Sequence, residues 1–191
     1  HSPTFIPVMP AVFSNENTVA GIGNSIMRNQ GPSRNGASWL EYAQIASGGR
    51  MRVVSNSGVN GDMTSSILGR LEQDALLKPA KWIIVSEGTN DAIQNVSVST
   101  HRANVAAIAA RVAAIGKRLI YVAAPPKQSR NTAKNNAAAK AACDSKGALF
   151  INPWSPVTEN GLYIDSTYSI DGTHPTQKAQ RIVGQSIWDS V

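Results

Sequence analysis

The chain has 191 residues, which is enough for one domain with a full hydrophobic core and too few for two domains of ordinary size. Its 42% hydrophobic and 16% charged residues are typical of a globular protein and exclude a disordered or fibrous chain, and no apolar run approaches the roughly 20 residues that span a bilayer. The net charge of +6 arises largely from residues 111–146, which contain eight basic residues and one acidic residue, Asp144.

This basic stretch, residues 111–146, is interpreted as a solvated face. The alternative is attraction to an anionic polymer such as an acidic glycan. Because its lysines and arginines are spread along helical segments and are not grouped with aromatic side chains, we expect no nucleic-acid partner. The absence of a long apolar run likewise predicts no membrane partner.

Residues 1–17 are predicted to form an extended lead-in or linker, and residues 18–191 the folded domain. Pro3, Pro7 and Pro10 disfavour a helix at the start of the chain. The lead-in lacks the basic start and the continuous apolar stretch of a signal peptide, and the chain does not begin with Met. We therefore expect a chain that was processed or that forms part of a longer protein.

Short apolar runs alternate along the chain with longer segments of helical periodicity. Two of the runs, WIIVS and LIYVAA, are nearly continuous and rich in β-branched residues, as in strands that are buried on both faces. Ser99 or Thr100 is predicted to cap the third helix. In chain order, the predicted elements are strand 18–21, helix 37–46, strand 52–55, helix 65–77, strand 81–86, helix 101–115, strand 118–124, helix 133–145, strand 148–151 and helix 177–190.

This alternation predicts an α/β fold with a central five-stranded parallel sheet and helices on both faces. Ligands of such sheets bind at the carboxyl ends of the strands. Polar turns that contain glycine follow the predicted strands, so we expect them to converge on one edge of the sheet. They are GIGNS at 21–25, NSGVNGDMT at 56–64, EGTND at 87–91 and DGTHP at 171–175.

These turns contain the groups that acyl transfer requires. A serine hydroxyl is a poor nucleophile and must lose its proton as it attacks, which calls for an imidazole within hydrogen-bond reach. Ser25 and His174 supply this pair, and Asp171 can fold back onto the second ring nitrogen of His174 to fix its tautomer. Glycine backbone N–H groups and an asparagine amide can donate to the oxyanion that develops.

In order and in spacing, the four turns resemble the conserved blocks of the SGNH hydrolases, also called GDSL-like esterases. The resemblance implies that Ser25 is the nucleophile, that His174 is the general base and that Asp171 is its partner. It implies an oxyanion hole made by the N–H groups of Ser25 and Gly61 and by the side-chain amide of Asn90. It also implies a flavodoxin-like three-layer α/β/α fold and ester hydrolysis through an acyl-enzyme, with no cofactor and no metal.

One residue departs from the family pattern, because Asn24 stands where the family has Asp. The two side chains are nearly isosteric, but Asn is uncharged and brings hydrogen-bond donors. We expect this exchange to alter a supporting hydrogen bond and not the nucleophile. Among the other histidines, His1 is terminal, and His101 has no carboxylate near it in the sequence. A surface or capping role is predicted for His101.

Other classes of site fit the sequence less well. Gly21 and Gly23 begin like a dinucleotide-binding fingerprint, but its third glycine is missing. The chain has no His-x-x-x-His pair, and Cys143, its single cysteine, excludes a thiolate metal cluster and is predicted to be a buried thiol. The Gly-x-Ser-x-Gly motif of α/β-hydrolases is also missing. The alternatives left open are a non-catalytic carbohydrate-binding module with the same fold and a lipase or thioesterase of the same family.

The substrate is predicted to be a polar ester, an O-acetylated carbohydrate, because the chain has 6% aromatic residues, loops rich in Asn, Ser and Gly, and no long apolar insertion. Lys127 and Arg130 follow the fourth strand and are predicted to attract an anionic glycan. Trp154 is a further candidate for stacking on a sugar, although core packing is the favoured interpretation. We expect a secreted or extracellular protein, such as a module of a larger secreted enzyme or of a phage tail protein.

Overall fold

The computed structural model describes residues 17–29, 37–169 and 171–191. Its central sheet consists of five parallel strands, β1 (Thr18–Gly23), β2 (Arg52–Gly58), β3 (Trp82–Ser86), β4 (Arg118–Val122) and β5 (Leu149–Ile151), in the spatial order β2-β1-β3-β4-β5. Of the predicted lead-in, only Asn17 belongs to the described residues. The remainder of that prediction lies outside them.

Two layers of helices cover the sheet, which gives the predicted three-layer α/β/α architecture. The helices are α1 (Trp39–Ala46), α2 (Thr64–Leu71), α3 (Thr89–Ile93), α4 (Val98–Ala114), α5 (Thr132–Lys146) and α6 (Gln177–Asp189). α1 and α6 pack on one face of the sheet, and α2, α4 and α5 pack on the other. No helix in the described part of the chain combines the length and apolar character needed to cross a membrane.

Successive residues of the inner strands are buried in opposite layers. Ile84 of β3 packs in the cluster that contains Trp39 of α1, whereas its neighbour Ile83 packs in the cluster that contains Val105 of α4. Side chains alternate across a strand, so a strand buried on both faces is apolar throughout. Cys143 lies fully buried in the second cluster, as predicted, and burial raises the pKa of its thiol to about 12.

The start of α4 differs from the prediction. The helix begins at Val98, and the side chain of Ser97 accepts from the backbone N–H of Thr100, so neither Ser99 nor Thr100 is the N-cap. Val98 is 40% exposed, so the first turn does not continue the apolar periodicity from which the helix was predicted.

Several further elements were not predicted, among them the short helix α3. The segment 65–77 forms α2 followed by a π-helical turn, Glu72–Leu76. A small antiparallel hairpin, β6 (Thr158–Glu159) and β7 (Tyr163–Ile164), follows β5. Asn160 and Gly161 lie at its tip with φ values of 53° and 69°. Asn-Gly is a strong hairpin signal, but strands of two residues are too short to show alternation.

Candidate active site

The carboxyl edge of the sheet brings the predicted turns together. Gly23, the last residue of β1, pairs with Gly58 of β2 on one side and with Ser86 of β3 on the other. A Cβ atom at Gly23 would lie 2.8 Å from the carbonyl oxygen of Ser86, so the close approach of these strand ends requires glycine there. Ser25 follows two residues later and is 8% exposed.

Ser25, His174 and Asp171 form a continuous series of hydrogen bonds. The Oγ atom of Ser25 lies 3.0 Å from Nε2 of His174, and Nδ1 of His174 lies 2.6 Å from Oδ2 of Asp171. A carboxylate on Nδ1 holds the proton on that nitrogen and leaves Nε2 free to accept the hydroxyl proton of serine. The three residues that were predicted to act together are therefore in hydrogen-bond contact.

The turn from Asp171 to His174 is held by its own backbone. Oδ1 of Asp171 accepts the N–H groups of Thr173 at 2.8 Å and His174 at 2.7 Å, and Gly172 takes a φ of +69°. Partial burial raises the pKa of Asp171, but the hydrogen bonds from the His174 side chain and from these backbone groups outweigh it and lower the pKa to about 2. Asp171 is therefore a carboxylate at neutral pH, which suits a partner of an imidazole.

Asn90 lies in the first turn of α3, directly beyond β3. Its side-chain Nδ2 donates to the carbonyl oxygen of Asp62 at 2.8 Å, which ties α3 to the loop that contains Gly61. The backbone N–H groups of Asn90 and Asp91 point at the carboxyl group of Glu87. The structure thus places Asn90 and the Gly61 loop at the same edge of the sheet as Ser25.

Arg70 of α2 reinforces this edge and was not singled out from the sequence. Its guanidinium donates to the carbonyl oxygen of Gly23 at 2.9 Å, two residues before Ser25. It also forms ion pairs with Asp62 at 2.6 Å and with Asp74 at 2.7 Å. Because an arginine has five donors in a fixed fork, one side chain can brace the end of β1 against the loop after β2.

Asn24, the residue that departs from the family pattern, has a hydrogen-bond partner that the sequence did not predict. The side-chain amide of Asn24 donates to Oε2 of Glu87, and its Oδ1 accepts the N–H of Ile26 at 2.9 Å. Glu87 is fully buried, and this burial, helped by the nearby charge of Asp91, raises its pKa to about 8. The two residues are 63 positions apart in the chain, so no local pattern could have paired them.

The prediction that His101 has a surface or capping role is wrong. His101 is fully buried, and its Nδ1 lies 2.6 Å from Oδ2 of Asp91. Thr64 joins the same group, because its N–H and its hydroxyl both donate to the Asp91 carboxylate, at 3.0 Å and 2.5 Å. The contact arises because α3 ends after five residues and the chain turns back into α4. This turn brings a histidine onto a carboxylate ten positions earlier.

The three predicted substrate-binding residues lie in different environments. Lys127 is half-buried, and its Nζ donates to Thr173, the residue before His174. Arg130 is exposed in the single helical turn Gln128–Arg130 that follows β4. Trp154 is 1% exposed, and its Nε1 donates to the carbonyl oxygen of Ala123 at 2.6 Å. Trp154 therefore packs in the core, as favoured above, and its role as a sugar-stacking residue is corrected.

The assembled groups are those of nucleophilic acyl transfer: a hydroxyl, an imidazole, a carboxylate and an amide donor. In the part of the chain that the structure describes, no set of three or more His, Cys, Asp or Glu side chains is arranged to hold a metal ion.

Known structures share this fold. A protein of the G-D-S-L family from Desulfitobacterium hafniense superposes with a TM-score of 0.81 at 17% identity, over 92% of this chain and 99% of the other. A catalytic mutant of Axe2, an acetylxylan esterase from Geobacillus stearothermophilus, gives 0.77 at 14% identity, over 93% and 94%. LAE5, an alpha/beta hydrolase enzyme from the metagenome of Lake Arreo in Spain, gives 0.78 at 14% identity, over 93% and 96%.

At the level of sequence, the GDSL-like Lipase/Acylhydrolase family matches residues 22–182. No curated protein matches the chain by sequence. The matched segment begins before Ser25 and ends after His174, so it contains the four turns from which the resemblance was inferred, except for Gly21 at the start of the first. The chain belongs to the GDSL-like lipase/acylhydrolase family and is a carboxylic ester hydrolase.

Proposed function

We propose that this protein is a serine esterase that removes short acyl groups, above all O-acetyl groups, from carbohydrate. The observation that carries the proposal is the series of hydrogen bonds from Ser25 Oγ to His174 Nε2 at 3.0 Å and from His174 Nδ1 to Asp171 Oδ2 at 2.6 Å. A serine in this arrangement can pass its proton to the imidazole as it attacks an ester carbonyl.

The reaction proceeds in two halves. Oγ of Ser25 bonds to the acyl carbon while Nε2 of His174 takes the hydroxyl proton, and the carbonyl oxygen becomes an oxyanion. The N–H groups of Ser25 and Gly61 and the amide of Asn90 donate to that oxyanion. The bond between the acyl carbon and the alcohol oxygen then breaks, and His174 returns the proton to the leaving alcohol. Water, deprotonated by His174, attacks the acyl-enzyme and releases the acid and the free Ser25 hydroxyl.

A carbohydrate ester suits the composition of the turns around Ser25. The segments at 56–64 and 87–91 are rich in Asn, Ser, Thr and Gly, and the chain as a whole has few aromatic residues. Such loops offer hydroxyl and amide groups to a polar substrate and little apolar surface to a long acyl chain. The name of one protein with this fold, the acetylxylan esterase Axe2, is consistent with such a substrate.

An anionic glycan is the form of carbohydrate that we propose. Lys127 lies against Thr173, and therefore beside the turn that carries His174. Arg130 follows on the same loop and is exposed. Two cations at the rim of the site would raise the local concentration of a polymer that carries carboxylate groups.

The experiment that tests the esterase activity is hydrolysis of p-nitrophenyl esters of increasing acyl length. We expect rapid cleavage of the acetate, slower cleavage of longer esters, and loss of activity in Ser25→Ala. Ser145→Ala is the matched control, because Ser145 is exposed on α5 and its hydroxyl contacts only the helix backbone in the described structure, through Ala142 at 2.8 Å. This control is expected to retain the rate of the unaltered enzyme.

Three results would contradict the proposal. If Ser25→Ala hydrolysed the acetate as fast as the unaltered enzyme, Ser25 would not be the nucleophile. If the unaltered protein bound acetylated glycans but hydrolysed no ester, the carbohydrate-binding module would be the better description. A rate that rose steadily with acyl length would favour the lipase or thioesterase alternative.

A further inference from the structure

Glu87 contacts two parts of the candidate active site, the turn that carries Ser25 and the first turn of α3, which carries Asn90. It follows β3 directly, is fully buried and accepts three N–H groups. Oε2 accepts the side-chain amide of Asn24, and Oε1 accepts the backbone N–H groups of Asn90 at 2.7 Å and Asp91 at 3.0 Å. One carboxyl group therefore joins the turn after β1 to the first turn of α3.

The contact with Asn24 acts directly on the segment that carries Ser25. Asn24 is 2% exposed, and its Oδ1 accepts the N–H of Ile26 at 2.9 Å, so its side chain bridges over Ser25 in the chain. Its other end is held by Glu87. The orientation of the Asn24 side chain, and with it the turn around Ser25, is therefore set by Glu87.

The contact with α3 acts in the same way on Asn90. The N–H groups at the start of a helix have no partner within the helix, and a carboxyl group that accepts them fixes the position of the first turn. Glu87 accepts two of these groups, one of which belongs to Asn90 itself. It thereby holds in place the residue whose side-chain amide is directed at Asp62 and the edge of the site.

We propose that Glu87 is a positioning residue for ester hydrolysis, and that Asn24 and Glu87 form a matched donor–acceptor pair that fixes Ser25 relative to Asn90. The proposal rests on the serine esterase function proposed above. It also accounts for the departure at position 24. Asn supplies an N–H donor that Oε2 of Glu87 accepts, whereas an Asp there could bond to Glu87 only by sharing a proton between the two carboxyl groups.

The pairing makes a specific prediction about exchanging the two partners. In Glu87→Gln, the introduced amide faces the amide of Asn24, so two donors meet. In Asn24→Asp, two carboxyl groups meet. The double variant, Asn24→Asp with Glu87→Gln, restores one donor and one acceptor with the polarity reversed. Its glutamine oxygen can still accept from Asn90 and Asp91, and its aspartate can still accept from Ile26.

The experiment measures kcat and KM of the two single variants and the double variant with p-nitrophenyl acetate. Each single variant is expected to lose kcat by roughly ten- to a hundredfold, because small displacements of reacting groups cost rates of this order, with KM within about threefold of the unaltered enzyme. The double variant is expected to recover most of the lost kcat. A residue that served folding alone would lower the unfolding temperature and leave kcat per folded molecule unchanged.

A serine-reactive fluorophosphonate separates this proposal from the proposed function. The single variants are expected to be labelled at Ser25 to the same final extent as the unaltered enzyme, but more slowly, and Ser25→Ala is expected to remain unlabelled. If Ser25→Ala kept its esterase activity, the proposed function would fail first. If that function held while both single variants kept a normal kcat, the positioning role would be disproved.

The double variant keeps the test decisive when a single variant does not fold. If Asn24→Asp were insoluble, recovery of folding and of kcat on adding Glu87→Gln would still demonstrate the pair. A double variant that was no more active than the product of the two single effects would overturn the proposal, because independent residues behave additively. A double variant that remained unfolded would overturn it as well.

Discussion

The side-chain amide of Asn90 donates to the carbonyl oxygen of Asp62 at 2.8 Å, across the gap between α3 and the loop after β2. An amide nitrogen has two hydrogens, and this contact uses one of them. The other can point to an oxyanion formed at Ser25, and its direction is constrained by the bond to Asp62. Asn90 is therefore both a link between two segments of the edge and a candidate donor.

We expect Asn90→Ala to lower kcat by about a hundred- to a thousandfold, with a much smaller change in KM, because the lost donor acts mainly in the transition state. The measurement is steady-state hydrolysis of p-nitrophenyl acetate. Gln94→Ala is the matched control, since Gln94 carries the same amide, ends the same short helix and is exposed. An unchanged kcat in Asn90→Ala would show that Asn90 does not contribute to the oxyanion hole.

The buried Asp91–His101 pair makes a prediction about stability. Burial raises the pKa of Asp91, but hydrogen bonds from His101 and Thr64 outweigh it and lower the pKa below its ordinary value of 3.8. A carboxyl group with a depressed pKa in the folded state stabilises the fold above its unfolded pKa, and that stability is lost as the pH falls through the folded pKa. We therefore expect Asp91→Asn to unfold at a lower temperature than the unaltered protein at pH 7, and the difference to shrink below about pH 4.

The size of this effect follows from the burial of the pair. Loss of a partner from buried, hydrogen-bonded groups costs about 1–3 kcal/mol. Asp144→Asn is the control, because Asp144 pairs with Lys140 on the surface and both side chains are 58% exposed. Exposed pairs contribute about 0–1 kcal/mol, so thermal unfolding of this variant is expected to match the unaltered protein closely. Equal unfolding temperatures for Asp91→Asn and Asp144→Asn at pH 7 would contradict the prediction.

Local patterns in the sequence predicted the sheet, most of the helices and the proximity of Ser25, His174 and Asp171. Every strand of the central sheet contains apolar residues, although β2 (Arg52–Gly58) has only Val53 and Val54. Ser25, Asn90 and His174 each lie beyond the strands, at the edge where a parallel sheet binds its ligands. Asp171 and His174 are three residues apart, so their contact follows from a single turn. These features depend on sequence neighbours and on a general rule of topology.

The supporting contacts could not be predicted in this way. Asn24 meets Glu87 only because β1 and β3 are adjacent in the sheet, although β2 lies between them in the chain. In the sequence, Glu87 is a polar residue at the end of a predicted strand, and none of its sequence neighbours indicates that it is buried. The prediction for His101 was wrong for the same reason, because its buried partner, the carboxylate of Asp91, belongs to a separate helix.

Glu87 is expected to influence the pH dependence of stability in the opposite sense to Asp91. Burial raises its pKa from 4.5 to about 8, so the folded protein holds a proton that the unfolded chain releases. Its contribution to stability is fully present below pH 4.5 and is lost as the pH rises towards 8. The amide introduced by Glu87→Gln does not titrate, so the stability of the unaltered protein should fall relative to this variant over the same range.

The measurement is the difference in unfolding temperature between the two proteins at several pH values from 5 to 9, a range of about four units around the shifted pKa. Among the described residues, the ionisable groups that influence Glu87 include Asp91 of α3 and Tyr121 of β4, whose hydroxyl donates to the Glu87 carbonyl oxygen at 2.7 Å. The pKa of Asp91 is lowered, and burial raises that of Tyr121 well above 10, so neither titrates in this range. A temperature difference that stayed constant from pH 5 to pH 9 would show that Glu87 does not change its charge there.

Variants of Lys127 and Arg130 test whether the enzyme prefers an anionic glycan as its substrate. We expect Lys127→Ala with Arg130→Ala to raise KM several-fold for an acetylated glycan that carries carboxylates, and to change KM little for a neutral acetylated glycan, because only the former is attracted by the lost charges. The preference of the unaltered enzyme for the anionic substrate should also weaken at high salt, which screens exposed charges over roughly 10 Å at 0.1 M.

Lys140→Ala with Lys146→Ala is the control for this pair, since it removes the same charge from the exposed surface of α5. If attraction depended on net charge alone, both double variants would lose the same affinity for the anionic glycan. If it depends on cations at the rim of the site, only the loss of Lys127 and Arg130 should matter, because Lys127 contacts the turn between Asp171 and His174. Unchanged KM values for both glycans in the Lys127 and Arg130 variant would exclude an anionic-glycan preference set by these residues.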